Sequence, residues 1–250
     1  MKKIYAFFLV GILLLSVLAA GCISDTETST TPTETSTPTD TIPLVADSNG
    51  NIDTQNLQSY IDSLPAAPLT EEEKNGLLYM VEEEKLAHDV YVKLYDKWGL
   101  PIFNNIAQSE TTHIDTVRML LQKYNLTDPT INEGVGEFQN PHLQELYNQL
   151  IEMGMQSEVD ALKVGALIEE TDIVDLQERI AQTNKIDIIT VYENLMIGSR
   201  NHLRSFVSTL KNYGVTYEPQ ILSKEEYEQI ISSPMETGGQ GGPQGYGNNG

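Results

Sequence analysis

Glutamate and histidine interrupt the apolar stripe of four separate helical stretches in this chain. Carboxylate oxygen paired with imidazole nitrogen is a donor set that suits iron or manganese. In the first stretch Leu77, Val81, Glu84, His88, Tyr91, Tyr95 and Trp98 share one face. In the second, Phe103, Ile106, Glu110, His113, Val117, Leu120 and Tyr124 do the same. The third reads Val159, Leu162, Ala166, Glu169, Ile173, Leu176 and Ile180, and the fourth Ile188, Tyr192, Leu195, Ser199, His202, Phe206 and Leu210. Steps alternating between three and four residues mark a packing seam, so three glutamates and three histidines are directed at one interior. Charges are expelled from such an interior unless paired or bound to metal, and this gathering points most simply to a metal site.

The elements that must position these groups are helices throughout. No stretch shows sustained strand-type alternation, so the expected class is all-α. Thr70 caps a helix that opens on Glu71, Glu72 and Glu73 and runs to about Trp98. Gly99-Leu100-Pro101 stops it and starts a second helix, antiparallel to the first, which ends near Tyr124. A long crossover holding a lesser helix from Pro141 to Met153 leads to Ser157, which caps a third helix ending near Thr183. The turn at Asn184 to Asp187 starts a fourth, running to about Tyr213, and short helices are expected near Leu57 to Ser63 and Lys224 to Ser232. Two antiparallel hairpins joined by one long crossover is the ferritin-like form of a four-helix bundle. Depth agrees with a shared site. At about 1.5 Å of rise per residue, Glu84 falls within roughly one or two turns of the level of Glu110 and His113 along the first hairpin, and Glu169 lies at similar depth to Ser199 and His202 along the second.

The ends read differently. Residues 1–22 have a basic start, an apolar run from Ile4 to Ala20 and the close Ala19-Ala20-Gly21-Cys22. That is the layout of a secretory signal with a lipoprotein-type cleavage box, which makes Cys22 the lipid anchor; an uncleaved signal-anchor is the second choice. Residues 23–46 form a Ser/Thr/Pro-rich tether, 47–234 the helical domain, and 235–250 a Gly/Gln-rich flexible tail. The expected location is therefore the outer face of the cytoplasmic membrane. Asn125-Leu126-Thr127 is an N-glycosylation sequon, a pattern common by chance. A formal charge of −21 and an isoelectric point near 4.4 argue against nucleic acid and anionic lipid heads, and favour cations.

Glu110-Thr111-Thr112-His113 places Glu and His on one helix face, and alone it is a weak signal. With Ser109 before it, and together with Glu84-Lys85-Leu86-Ala87 and Tyr91, with Glu169-Glu170, and with Gly198-Ser199-Arg200-Asn201-His202-Leu203, it resembles the ferritin-like superfamily of di-iron carboxylate proteins. Within that superfamily the chain is similar to an uncharacterised group, domain of unknown function 2202, over roughly Leu69 to Gly214. Such proteins hold two metals with a Glu from each of two helices and a Glu-x-x-His from each of the other two. The resemblance thus implies Glu84, Glu110, His113, Glu169 and His202 as ligands. Ser199 departs from it, standing where the fourth helix should supply a glutamate. His88, one turn from Glu84, or Asp172, three residues from Glu169, could complete the ligand count, with Glu170 as the alternative for a rotated third helix. Tyr91 and Tyr192 face the interior and could donate to ligand carboxylates, although a core role is commoner for such aromatics.

The resemblance implies a metal-dependent oxidoreductase of ferroxidase or peroxidase type. Ferrous iron, as a pair or a single ion, or else manganese, would react there with oxygen or peroxide. The alternative is a non-catalytic, lipid-tethered scaffold whose metal site is structural or degenerate, and Ser199 is the feature that sustains it. A homodimer is left open. Glu82 and Glu83 project off the seam and are expected on a solvated face, and His142 at an exposed helix start. Phosphate loops, Ser-His-Asp order and cysteine redox motifs are absent from the sequence.

Overall fold

A computed structural model describes residues 42–238. They form seven α-helices: α1 (Thr54–Ser63), α2 (Glu71–Trp98), α3 (Pro101–Lys123), α4 (Pro141–Gly154), α5 (Glu158–Ile180), α6 (Ile186–Asn212) and α7 (Lys224–Ser232). The signal-like segment, Cys22, most of the tether and the last residues of the tail lie outside the described residues.

The caps form where the side chains allow. Thr70 Oγ1 accepts from the Glu73 amide at 3.1 Å, and Glu73 Oε2 accepts from the Thr70 amide at 2.8 Å, a reciprocal box that satisfies two otherwise free donors at the start of α2. Glu73 has a second task. It accepts from Thr183 Oγ1 at 2.6 Å and sits 3.3 Å from Lys185 Nζ, tying the α5–α6 turn to the beginning of α2. At the same end, Lys123 and Tyr124 of the α3 terminus reach Asp187 of α6, each at 2.7 Å. At the opposite end, Trp98 Nε1 donates to the Gly154 carbonyl at 2.9 Å and fixes where α4 delivers the chain. These ties make α2–α3 and α5–α6 two antiparallel hairpins, with α4 in the crossover between them.

The crossover is held from below by charged residues of α2. Lys85 Nζ contacts Asp89 Oδ2 at 2.5 Å and donates to the carbonyls of Gly134 and Glu137. Glu82 Oε2 accepts from the amides of Gln139 and Asn140. Both Glu82 and Glu83 are buried, which corrects the solvated face expected for them; the crossover lies over that side of α2, and α5 over its neighbour.

The fold also begins earlier, and stays anchored further, than the composition of the termini implies. Val45 donates to Asn194 Oδ1 at 2.7 Å, and Asn194 Nδ2 donates to the Pro43 carbonyl at 2.9 Å. Past Pro234, Glu236 pairs with Arg200 and Arg204, and exchanges hydrogen bonds with Asn201.

The apolar core is divided. One cluster gathers Val90, Leu94, Phe103, Leu162 and Phe206 towards the α2–α3 turn. The other gathers Leu77, Met80, Val117, Leu120 and Leu195 towards the opposite end. Between them lies a layer of buried polar side chains contributed by all four long helices.

Candidate metal centre

That layer contains two triads of potential ligands, Glu84–Glu110–His113 and Glu110–Glu169–His202, in each of which the donor atoms lie within 4.8 Å of one another. Glu110 belongs to both. Its Oε2 is 2.9 Å from His113 Nδ1, while its Oε1 is 3.0 Å from His202 Nδ1. Glu84 Oε2 closes the first triad at 3.1 Å from His113 Nδ1, and Glu169 Oε2 the second at 3.4 Å from His202 Nδ1. The two imidazoles stack with centroids 5.4 Å apart and planes inclined by 21°.

Both histidines present Nδ1 to the carboxylates because Nε2 is engaged elsewhere. His113 Nε2 donates to the Gly50 carbonyl at 2.9 Å, and His202 Nε2 donates to the Asn49 carbonyl at 3.0 Å, with Ser109 Oγ also 3.0 Å away. A carbonyl only accepts, so Nε2 carries the proton and Nδ1 faces the carboxylates, the orienting role that partners beyond the ligands play at metal sites. The carbonyls come from a turn nucleated by Asp47, whose Oδ1 accepts from the amides of Asn49 and Asn51. Gly50 has φ +88°, and a Cβ there would lie 2.3 Å from His202 Nε2. Gly198 serves the same end inside α6, where a Cβ would lie 2.4 Å from His113 Nε2.

The donor set fits a metal. Glu84 Oε1 and Asp172 Oδ1 are buried at the layer without a hydrogen-bond partner, and His202 Nδ1 meets its carboxylates outside hydrogen-bond geometry, a state that buried polar atoms rarely keep. Oxygen and nitrogen donors without thiolate suit iron or manganese.

Without metal the cluster holds protons instead. Burial opposes the charged form of His202, but the flanking carboxylates of Glu169 and Glu110 outweigh it and raise its pKa to about 10. His113 is raised well above its usual value against the same opposition, by Glu110 and then Glu84. Burial lifts the Glu84 carboxyl to about 7 despite the pull of His113, whereas at Glu110 the two imidazoles overcome burial and hold the carboxyl low. For the histidines the folded-state pKa exceeds the unfolded one. Their stabilisation is therefore complete below about pH 6.5 and is lost as pH rises towards 10. Thermal melts of chelator-treated protein should show Tm falling across that window. Metal must displace the same protons, so its affinity should rise with pH over the same range, by about tenfold per pH unit for each proton released.

The remaining sequence-predicted residues divide. Tyr91, whose place on the stripe left a core role the commoner expectation, donates to Glu169 Oε1 at 2.5 Å. Ser199 Oγ donates to Asp172 Oδ2, so Asp172 reaches the layer from α5 where α6 has no carboxylate to offer. His88 does not join. It is half-buried, with Nδ1 2.8 Å from Asp89 Oδ1, because a straight helix of 3.6 residues per turn drifts about 20° per heptad and the inner line of α2 passes through Ala87, Tyr91 and Leu94. Tyr192 is also displaced, lying near Gly76 and Arg179 with no hydrogen bond to the triads.

Glu170 is buried on the other side of α5. It accepts from Tyr217 Oη at 2.5 Å and from the amides of Gln220, Ile221 and Leu222, anchoring the segment that leads to α7. Glu170→Ala should therefore cost stability, on the order of 3 kcal/mol from the stranded donors, while leaving metal content per folded chain unchanged. Denaturant titration beside metal analysis would check both halves.

Sequence reasoning missed the Asn49 and Gly50 carbonyls, the contact of Ser109 with His202, and the close approach at Gly198. One signal was available. A glycine in a helix interior costs roughly 1 kcal/mol against alanine, so Gly198 beside Ser199 marks a place where something comes near the backbone.

The chain belongs to the family described as "Uncharacterized protein domain (DUF2202)", which matches residues 73–234 and so takes in α7 as well as the four long helices. It is similar to the uncharacterized protein MJ0754 of Methanocaldococcus jannaschii, with 61% identity over 179 residues that span 72% of this chain and 97% of that one. The crystal structure of hypothetical protein MJ0754 from Methanococcus jannaschii matches with a TM-score of 0.68 at 61% identity, covering 69% of this chain and 99% of that chain.

Proposed function

We propose that this protein is a ferritin-like four-helix bundle carrying an iron centre, held outside the cytoplasmic membrane by a lipid on Cys22, and that it reacts with oxygen or peroxide. One observation carries the reading: Glu110 offers each carboxylate oxygen to a different triad, midway between two apolar core halves. A carboxylate shared in this way is the arrangement by which two cations sit side by side. Glu84, Glu110 and His113 would hold one ion, and Glu110, Glu169 and His202 the other, with Asp172 as the added carboxylate in place of the one lacking at Ser199.

Two ferrous ions held there would supply two electrons, which with two protons from solvent reduce peroxide to water or oxygen to peroxide. The chain's own groups do the rest. The Asn49 and Gly50 carbonyls orient the imidazoles, Tyr91 positions the Glu169 carboxylate, and the two apolar clusters exclude bulk water. Protons leaving His113 and His202 on loading compensate the charge that enters.

The test is iron bound per folded chain after anaerobic ferrous loading of the full chain, followed by consumption of peroxide or oxygen. About two irons with peroxide loss supports the centre as proposed. A single iron assigns the mono-iron form. Metal uptake with no reaction favours the tethered scaffold, a reading sustained by the missing α6 carboxylate, and no uptake removes the metal reading altogether.

A further inference from the structure

Three carboxylates on α5 follow one another at three-residue steps: Glu169, Asp172 and Asp175. Each such step turns about 60° back around an α-helix, so the row winds from the inner face towards the outer one. Burial follows that path, with Glu169 and Asp172 buried and Asp175 half-buried. Glu83 of α2, beside the candidate ligand Glu84, faces the outer two of these groups. It is only 6% exposed, yet neither of its carboxylate oxygens has a hydrogen-bond partner. Asp172 Oδ1 lacks one too, and Asp172 in turn faces Glu84 and Glu169.

Resting on the metal reading above, we infer that Asp175, Glu83 and Asp172 form an entry line for a divalent cation, leading from the solvent side of α2 and α5 to the centre at Glu84, Glu110 and Glu169. A buried carboxylate facing other carboxylates keeps its charge only beside a cation and otherwise holds a proton, which an arriving divalent ion can replace. Among the described residues, only the two triads bring three ligand atoms within 4.8 Å, so the outer groups grip an ion more loosely than the centre does. A passage needs that order, loose outside and tight inside. A groove lined by Tyr79, Glu82 and Arg179 opens on the same flank. The Arg179 guanidinium lies 4.5 Å from the Tyr79 ring centroid, and its buried Nε has no hydrogen-bond partner. It supplies countercharge to the line at rest and can yield to an arriving ion. The net charge of −21 draws cations to the surface in general, and this row gives them a way in.

The experiment is stopped-flow loading of the metal-free full chain with cobalt(II), whose d–d absorption reports coordination and which does not oxidise in air, together with cobalt bound at equilibrium. Glu83→Gln and, separately, the more exposed Asp175→Asn should each slow loading by about tenfold or more, the scale on which charged clefts focus ions, with the final cobalt content unchanged. Equal loading rates in both variants would overturn the entry line while leaving the centre standing. A lowered final content in Glu83→Gln would make Glu83 a ligand and overturn it as well. Unchanged loading with slower turnover of iron-loaded protein would assign the row to protons, also against the proposal. If the unaltered chain takes up no cobalt, the metal centre itself fails, a result distinct from all the others. Melting curves of both variants accompany the kinetics, and Asp175→Asn, altering a half-buried group, keeps the test decisive if Glu83→Gln folds poorly.

Discussion

Glu110→Ala is expected to abolish binding at both metal positions, taking the chain from about two equivalents to none, because each Glu110 oxygen serves a different triad. Loss of a partner that merely orients a ligand costs about 10- to 100-fold in affinity, and loss of a ligand common to both ions should exceed that at each. Glu84→Ala and Glu169→Ala provide the contrast, since each belongs to one triad and should remove one equivalent. The metal-free protein should also suffer. His113 and His202 stack 5.4 Å apart with Glu110 bridging them, and its removal leaves two buried cations facing each other. Breaking a buried ion pair costs roughly 3–5 kcal/mol, and the loss should be largest below about pH 6.5, where both imidazoles are charged in either state. Metal analysis per folded chain and denaturant titration at pH 6 would measure the two effects. Retention of one equivalent would show that the triads act independently of Glu110.

Gly50→Ala tests the carbonyl clasp without touching a ligand. Its φ of +88° is one that alanine adopts with strain, and the new methyl would fall 2.3 Å from His202 Nε2. The 47–51 turn must move, and the carbonyls that accept from both imidazoles move with it. The expected cost is upwards of about 1 kcal/mol in stability. With the Nδ1 atoms no longer held towards the carboxylates, metal affinity should fall about 10- to 100-fold. Wild-type affinity in this variant, measured by cobalt titration, would mean that the carboxylates alone orient the histidines. Gly198→Ala should act similarly on His113, where the added methyl meets the ring at 2.4 Å.

Much of the scaffold was legible in the sequence because its determinants are local. Capping by Thr70 and Ser157, the stop at Gly99 and the three-four spacing of apolar residues place the four long helices within about three residues of their observed bounds. Depth counted from the short turns placed Glu84 near Glu110 and His113 on one hairpin and Glu169 near His202 on the other, the resemblance implied these five as one ligand set, and the two triads contain them. Helix rise is constant, so register along a hairpin can be counted without seeing the partner hairpin.

Rotation about each helix and contacts with distant segments were not countable. The sequence alone determined an all-helical chain with carboxylates and imidazoles on inward stripes. Only tertiary structure decided that α2 turns His88 towards Asp89, that Glu170 anchors residues 217–222, and that Glu82 and Glu83 are covered. It also decided that Asp172 stands beside Ser199, and that Asn49 and Gly50 hold the histidines. The reason is physical. Periodicity specifies a face to within the drift between 3.5 and 3.6 residues per turn, and along α2 that drift carries the inner line away from His88. Which remote donor meets a buried carboxylate depends on how the hairpins and the crossover pack, an arrangement that no local pattern encodes.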